Sequence, residues 1–97
     1  PIIVRGHSEK EHKFDTALVL PDGRKVLVDT VRHQANSINS AVVANLDVKQ
    51  LDDPSIIQRI VFDPLEEWRP EEISLLRVGA TPVALPQLAR SIERAAA

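Results

Sequence analysis

Apolar and polar residues are arranged along this chain so that strand patterns come first and helix patterns follow. Ile2-Ile3-Val4 is a short β-branched run, ended by Gly6 and a polar stretch from His7 to Lys13, which predicts a strand followed by a loop. The run from Phe14 to Leu20 then meets the run from Arg24 to Val31 across Pro21-Asp22-Gly23, and that predicts a β-hairpin. Proline presets the first turn position, aspartate suits the second, and glycine takes the left-handed position of a G1 bulge. In such a three-residue loop Leu20 pairs with Arg24. Counting back places Leu18 opposite Val26, Thr16 opposite Val28, and Asp15 opposite Asp29. A two-residue turn would shift the register by one and send the two aspartates to opposite faces. The turn chemistry favours the first register.

Beyond the hairpin, Asn36 and Ser37 are predicted N-cap residues for a helix from about Ser37 to Gln50, with Ile38, Ala41, Val42, Leu46, Val48 and Leu51 supplying the apolar spacing. Asp52-Asp53-Pro54 breaks it. Ile56 to Phe62 reads as a buried strand closed by Asp63-Pro64. Pro70-Glu71-Glu72 opens a second helix, with Gly79 as its expected C-cap. Thr81 to Leu85 is a short strand, and Pro86 starts a last helix to about Arg94 whose apolar side is Leu88, Ala89 and Ile92. The expected fold class is α/β: a three-stranded antiparallel β-meander, then alternating helices and strands in a mixed sheet.

Composition narrows this picture. With 97 residues, 43% hydrophobic and 27% charged, the chain fits a single globular domain. Phe14, Phe62 and Trp68 are the only aromatic residues, so the core must be aliphatic, and an aromatic platform for single-stranded nucleic acid is disfavoured. A net charge of -2 argues against DNA binding by a wholly basic surface but leaves room for a local basic patch. The lack of cysteine excludes disulfides, Cys-ligated zinc and thiol nucleophiles, and suits a cytoplasmic setting. No apolar run approaches the roughly 18–20 residues of a membrane span, so no membrane partner is expected. The chain has no methionine, which suggests a fragment of a longer protein or a processed chain.

Among chemistry-bearing residues, the predicted Asp15–Asp29 pair carries most weight. Two carboxylates opposite each other on neighbouring strands repel. A hard cation such as Mg²⁺ between them relieves the repulsion, and so does solvation at a strand end or an intervening basic side chain.

A meander with an acid early on its second strand and another on its third, then a helix and a further strand, resembles the restriction-endonuclease-like nuclease superfamily, known by its PD-(D/E)xK motif. Phe14-Asp15, Val28-Asp29-Thr30-Val31, and Asn36-Ser37-Ile38-Asn39-Ser40 with the helix through Leu46-Asp47 also resemble an uncharacterised bacterial domain family associated with that superfamily. The resemblance implies that Asp15 and Asp29 are metal ligands and catalytic acids for Mg²⁺-dependent phosphodiester hydrolysis, or its degenerate remnant, in bacterial DNA metabolism or defence. The superfamily's lysine falls at Val31, and the proline before its first acid falls at Phe14. Lys49 or Gln50 on the following helix can stand in for that lysine, with Lys49 the catalytic candidate. Lys25 shares a strand face with Asp29 but lies about 13 Å away along the chain.

Other residues carry weaker expectations. His7 and His12 share the polar loop and are read as solvated, and His33 follows the third strand within reach of a site at Asp29. Ser37, Asn39 and Ser40 read as caps rather than nucleophiles. Pro1-Ile2-Ile3-Val4 resembles the opening of the tautomerase superfamily, which implies an N-terminal proline base, but a hairpin follows where those proteins have a helix. The alternative function is a non-catalytic protein-interaction domain. Its partner would dock at the Trp68 region, unless Trp68 plugs the core, or on the terminal helix with Arg90 and Arg94.

Overall fold

Pro21-Asp22-Gly23 folds as its chemistry requires, and the register of the sheet follows from it. Gly23 takes φ 90°, its amide donates to the carbonyl of Leu20 (2.9 Å), and the Leu20 amide donates to the carbonyl of Arg24 (2.8 Å). Asp22 secures the turn by accepting from the Arg24 backbone (3.1 Å) and from Arg24 Nε (2.7 Å). Thr16 therefore pairs with Val28 and Leu18 with Val26. In the computed structural model, which describes residues 2–97, the elements are β1 (Ile2–Arg5), β2 (Glu11–Phe14), β3 (Thr16–Val19), β4 (Lys25–Thr30), α1 (Ala35–Lys49), β5 (Ile56–Phe62), α2 (Pro70–Gly79), β6 (Thr81–Ala84), a 3₁₀ turn (Leu85–Gln87) and α3 (Leu88–Ala96). The proline-base expectation falls on Pro1, which lies outside the described residues.

The result is an α/β fold with a mixed four-stranded sheet, in the order β3-β4-β5-β6. β3 and β4 are antiparallel, whereas β4–β5 and β5–β6 are parallel and joined by the crossover helices α1 and α2. Because side chains alternate across a strand, the sheet has two apolar faces. One carries Val31 and Ile60, packed against Ile38, Ala41 and Val42 of α1 and Leu76 of α2. The other carries Val26, Val28 and Val61 and is covered by Leu88 and Ile92 of α3. Ala89, expected on that apolar side, is exposed instead. Among the described residues no helix is long and apolar enough to cross a membrane.

The N-terminal part departs from expectation. The stretch read as a loop contains β2, which pairs with β1 in a separate two-stranded sheet, Ile2 opposite Phe14 and Arg5 opposite Glu11. The long strand expected from Phe14 to Leu20 is bent at Asp15, so the meander is split between two sheets. The cause is local. The Asp15 carboxylate accepts from the Thr30 amide (2.6 Å) and from the Thr30 hydroxyl, taking the donor next in line for the β3–β4 ladder. Phe14 then turns into a cluster with Leu27 and Val48, where it is 1% exposed.

Helix ends also differ from expectation. α1 begins at Ala35 with Gln34 at its N-cap and no side-chain cap, and Ser37 Oγ accepts from the Arg32 amide (2.9 Å) rather than capping. α2 opens as expected on Pro70, with Glu72 accepting from the Arg69 amide (2.8 Å). Gly79 is not a left-handed C-cap. It is the last residue of α2, where a β-carbon would stand 3.0 Å from the Val42 carbonyl and 3.1 Å from Asn45 Cβ. Its smallness lets α2 approach α1.

Candidate functional site

The register that places Thr16 opposite Val28 brings Asp15, at the bend, beside Asp29 on β4. Asp29 projects from the same side of β4 as Leu27 and Val31, toward α1, and is half-buried. Asn45 reaches it from α1: Nδ2 donates to Asp29 Oδ2 (3.2 Å) and to the Ala41 carbonyl (2.8 Å). Gln58 of β5 completes the network, its Nε2 donating to the Asn45 carbonyl (2.8 Å) and to Asn45 Oδ1 (3.1 Å). Asn45 is 0% exposed, so every polar atom of its amide is satisfied inside the protein. Burial, and then the negative charge of Asp15, push the Asp29 carboxyl up to about 6, against the opposing effect of the Asn45 hydrogen bond.

Asp29 and Thr30 open onto a cleft of about 530 Å³ between the β1–β2 hairpin and α1. Lys10 and Lys13 stand on the hairpin side, and Asn39 and Ser40 on the helix side. Asp29 and Glu11 thus share this cleft with Lys10 and Lys13, and Asp15 lies close enough to Asp29 to raise its pKa. Asp15 bonds Thr30 through one oxygen and Asp29 bonds Asn45 through one, and the second oxygen of each has no hydrogen bond among the described residues. Among the described residues no set of three or more His, Asp or Glu gathers around one point. Two carboxylates suffice for Mg²⁺, which keeps several waters and takes one or two protein carboxylates. Asp15 and Asp29 are the two carboxylates that could hold such an ion here.

The residues expected to replace the lysine that the resemblance implies line other parts of the surface. Lys49 is one turn beyond Asn45 on α1 and lines a different depression, with Asp52 and Gln58. Gln50 is exposed at the end of that helix, and Lys25 is exposed at the start of β4. Val31 is 7% exposed, packed with Ile60 and Leu76. The cations that share the Asp29 cleft are Lys10 and Lys13, in a stretch whose polar pattern predicts a loop.

Two histidines are engaged rather than solvated or free. His12 lies on β2 with a side chain 8% exposed, its Nε2 2.7 Å from Asp47 Oδ2. Asp47 also accepts from the Ser8 amide (2.9 Å) and Ser8 Oγ (2.7 Å). The bonds from Ser8, then that from His12, hold the Asp47 carboxyl down at about 2. Ser, His and Asp meet here, but the serine hydroxyl bonds the carboxylate and not the imidazole. No base is aimed at it, and the group is a clamp rather than a nucleophile. His33 pairs with Glu72 (3.0 Å) and stacks on Trp68, with ring centroids 4.5 Å apart. Trp68 is half-buried against Phe62, and its Nε1 donates to the Asp63 carbonyl (3.0 Å). It plugs the loop onto the core.

Comparison with protein-family models, with curated proteins and with solved structures finds no match for this chain.

Proposed function

We propose that this domain holds a divalent cation, Mg²⁺, on Asp15 and Asp29 and acts on phosphodiesters of DNA as a nuclease-like centre of the restriction-endonuclease-like type. The observation that carries the reading is the half-buried Asp29 carboxyl, close enough to Asp15 to feel its charge, at a cleft that Lys10 and Lys13 also line, with Glu11 between them. A fold gains nothing in stability from two neighbouring carboxylates, and a bound cation turns that repulsion into attraction. When bound, Mg²⁺ supplies a water of lowered pKa and offsets charge on a phosphoryl oxygen. The chain's own residues do the rest. Asn45 fixes the Asp29 carboxyl in place, and Thr30 fixes that of Asp15. Lys10 and Lys13 offer ammonium groups to the non-bridging oxygens of a phosphate entering the cleft, as point charges rather than forks.

A second reading is a catalytically degenerate remnant that binds without cleaving, and Val31 favours it. The position expected to carry a lysine is filled by a core valine, and Lys49 lines a separate depression. A non-catalytic protein-interaction domain is the further alternative.

Calorimetric titration with Mg²⁺ and Mn²⁺, on the native chain and on Asp29→Asn, tests the reading. Saturable binding lost in the variant supports the cation centre. No binding by the native chain removes it. A plasmid-nicking assay in Mg²⁺ then separates an active centre from a remnant.

A further inference from the structure

The sheet face opposite Asp29 carries a cation where an apolar residue belongs. Along β5 the side chains that turn toward α3 are Ile57, Arg59 and Val61, and the two aliphatic ones belong to the cluster under Leu88 and Ile92. Arg59 takes the middle position and is half-buried. A guanidinium in such a place ordinarily has a carboxylate partner, because desolvating an unpaired charge is costly. Arg59 has none. The ion pairs among the described residues involve His12, Arg24, His33 and Arg69, and neither Arg59 nor its neighbours Arg90 and Arg94.

We infer that the groove between the edge strand β6 and α3 is a phosphate-binding site, with the Arg59 guanidinium at its base and Arg90 and Arg94 on its α3 side. The groove encloses about 380 Å³, and no Asp or Glu lines it. Arg59 Nε donates to Ser91 Oγ (2.9 Å) and Nη1 to the Gln58 carbonyl (2.9 Å), which fixes the plane of the group. Its other N–H donors have no protein acceptor, yet among the described residues no buried side-chain nitrogen or oxygen lacks a partner. Those donors are therefore reachable from solvent, and Arg59 lines the groove. A planar fork held on one side and open on the other suits two oxygens of a tetrahedral oxyanion. Arg90 and Arg94, one turn apart on α3, line the same space.

Charge decides between oxyanions. Three guanidiniums stand together on a chain whose net charge is -2, with no acid in the groove. One carboxylate would leave most of that charge uncompensated, whereas a phosphate monoester carries nearly two negative charges at neutral pH, and successive phosphodiesters of a strand supply as many. Both sources present the same phosphoryl oxygens. The site faces away from the Asp29 cleft and does not depend on the reading of that cleft.

Titration in EDTA, which removes any divalent contribution at Asp29, is the test. Inorganic phosphate and a short single-stranded DNA oligonucleotide are each added while the Arg59 Nε–H resonance and the heat of binding are followed. Saturable binding with a shift of that resonance is expected. Arg59→Lys, which keeps the charge without the fork, and the exposed double variant Arg90→Gln/Arg94→Gln should each weaken it about tenfold or more. Tighter binding of the oligonucleotide assigns a nucleic-acid strand as the source, and equal or tighter binding of inorganic phosphate assigns a free phosphate group. Absence of saturable binding of either ligand up to about 10 mM overturns the inference. So does affinity unchanged in the Arg90/Arg94 variant, which keeps the test valid should Arg59→Lys fail to fold.

Discussion

Asn45 Nδ2 donates to Asp29 Oδ2 across 3.2 Å, and this contact joins the candidate site to the helical layer of the fold. Asn45 occupies a core-facing position of α1, between Val42 and Val48, and satisfies Asp29, Ala41 and Gln58 together. A buried polar network is stabilising only while each member keeps its partners. Asn45→Leu is therefore expected to be severe despite its good hydrophobic match. It takes one of two acceptors from Gln58 Nε2, which keeps the backbone carbonyl of residue 45, and the donor from an Asp29 oxygen, at a cost of about 1–3 kcal/mol. It also removes the contact that favours the Asp29 carboxylate, so the Asp29 pKa should rise further. Denaturant unfolding and carboxyl NMR titration would show both changes. A variant as stable as the native chain, with Asp29 unmoved, would mean that the network does not operate as described.

The same carboxyl dictates how stability changes with pH. Burial and then Asp15 hold the Asp29 pKa at about 6, above the ordinary 3.8. Between those two values the folded state keeps a proton that the unfolded chain has released, so folding stability from this group is greatest below about pH 4 and declines as pH rises through 6. The loss amounts to at most about 3 kcal/mol before solvent screening reduces it. Asp47 acts in the opposite sense. Its pKa, lowered to about 2 by Ser8 and His12, stabilises the fold above pH 4, and that contribution fades as pH falls toward 2. Urea midpoints between pH 4 and 8 should fall in the native chain and stay flatter in Asp29→Asn. Parallel profiles for the two proteins would rule out the assignment to Asp29.

What could be read from the sequence was what local chemistry decides. Pro21-Asp22-Gly23 specifies its turn within three residues, and the turn in turn specifies that Thr16 meets Val28. The boundaries of β5 and the Pro70 start of α2 are likewise local signals. β2 was missed because its inward positions are His12 and Phe14, so an alternating strand looked polar. The bend at Asp15 depends on Thr30, and Gly79 depends on Val42 and Asn45, relationships that no local window contains. The site was legible in the same proportion. The nearness of Asp15 to Asp29 followed from the turn, although Asp15 sits at the bend and not in the ladder, whereas Lys10 and Lys13 reach the cleft only because the missed hairpin folds over it. Asn45 left one trace, a polar residue three beyond Val42 on the apolar stripe of α1.

Gly6 offers the sharpest test of how that hairpin is fastened. A β-carbon on Gly6 would fall 2.2 Å from Asp47 Oδ2 and 2.4 Å from Asp47 Cγ, so the carboxylate lies directly over the glycine backbone. Asp47 has little freedom to retreat, since it holds the Ser8 amide, the Ser8 hydroxyl and His12 at once. Gly6→Ala must therefore displace the clamp, with an expected destabilisation of about 1–3 kcal/mol from overpacking. The effect should be regional. Hydrogen exchange at the Ser8 amide and along β1–β2 should quicken while β4, β5 and β6 keep their protection. Because the clash is with one side chain, removing that side chain should remove most of the penalty: Gly6→Ala should cost far less in an Asp47→Ala background than in the native one. Strictly additive losses in that double-mutant cycle would show that Gly6 is needed for its backbone and not for the space it leaves to Asp47. The hairpin carries Lys10 and Lys13, so a released clamp should also weaken phosphate binding in the Asp29 cleft.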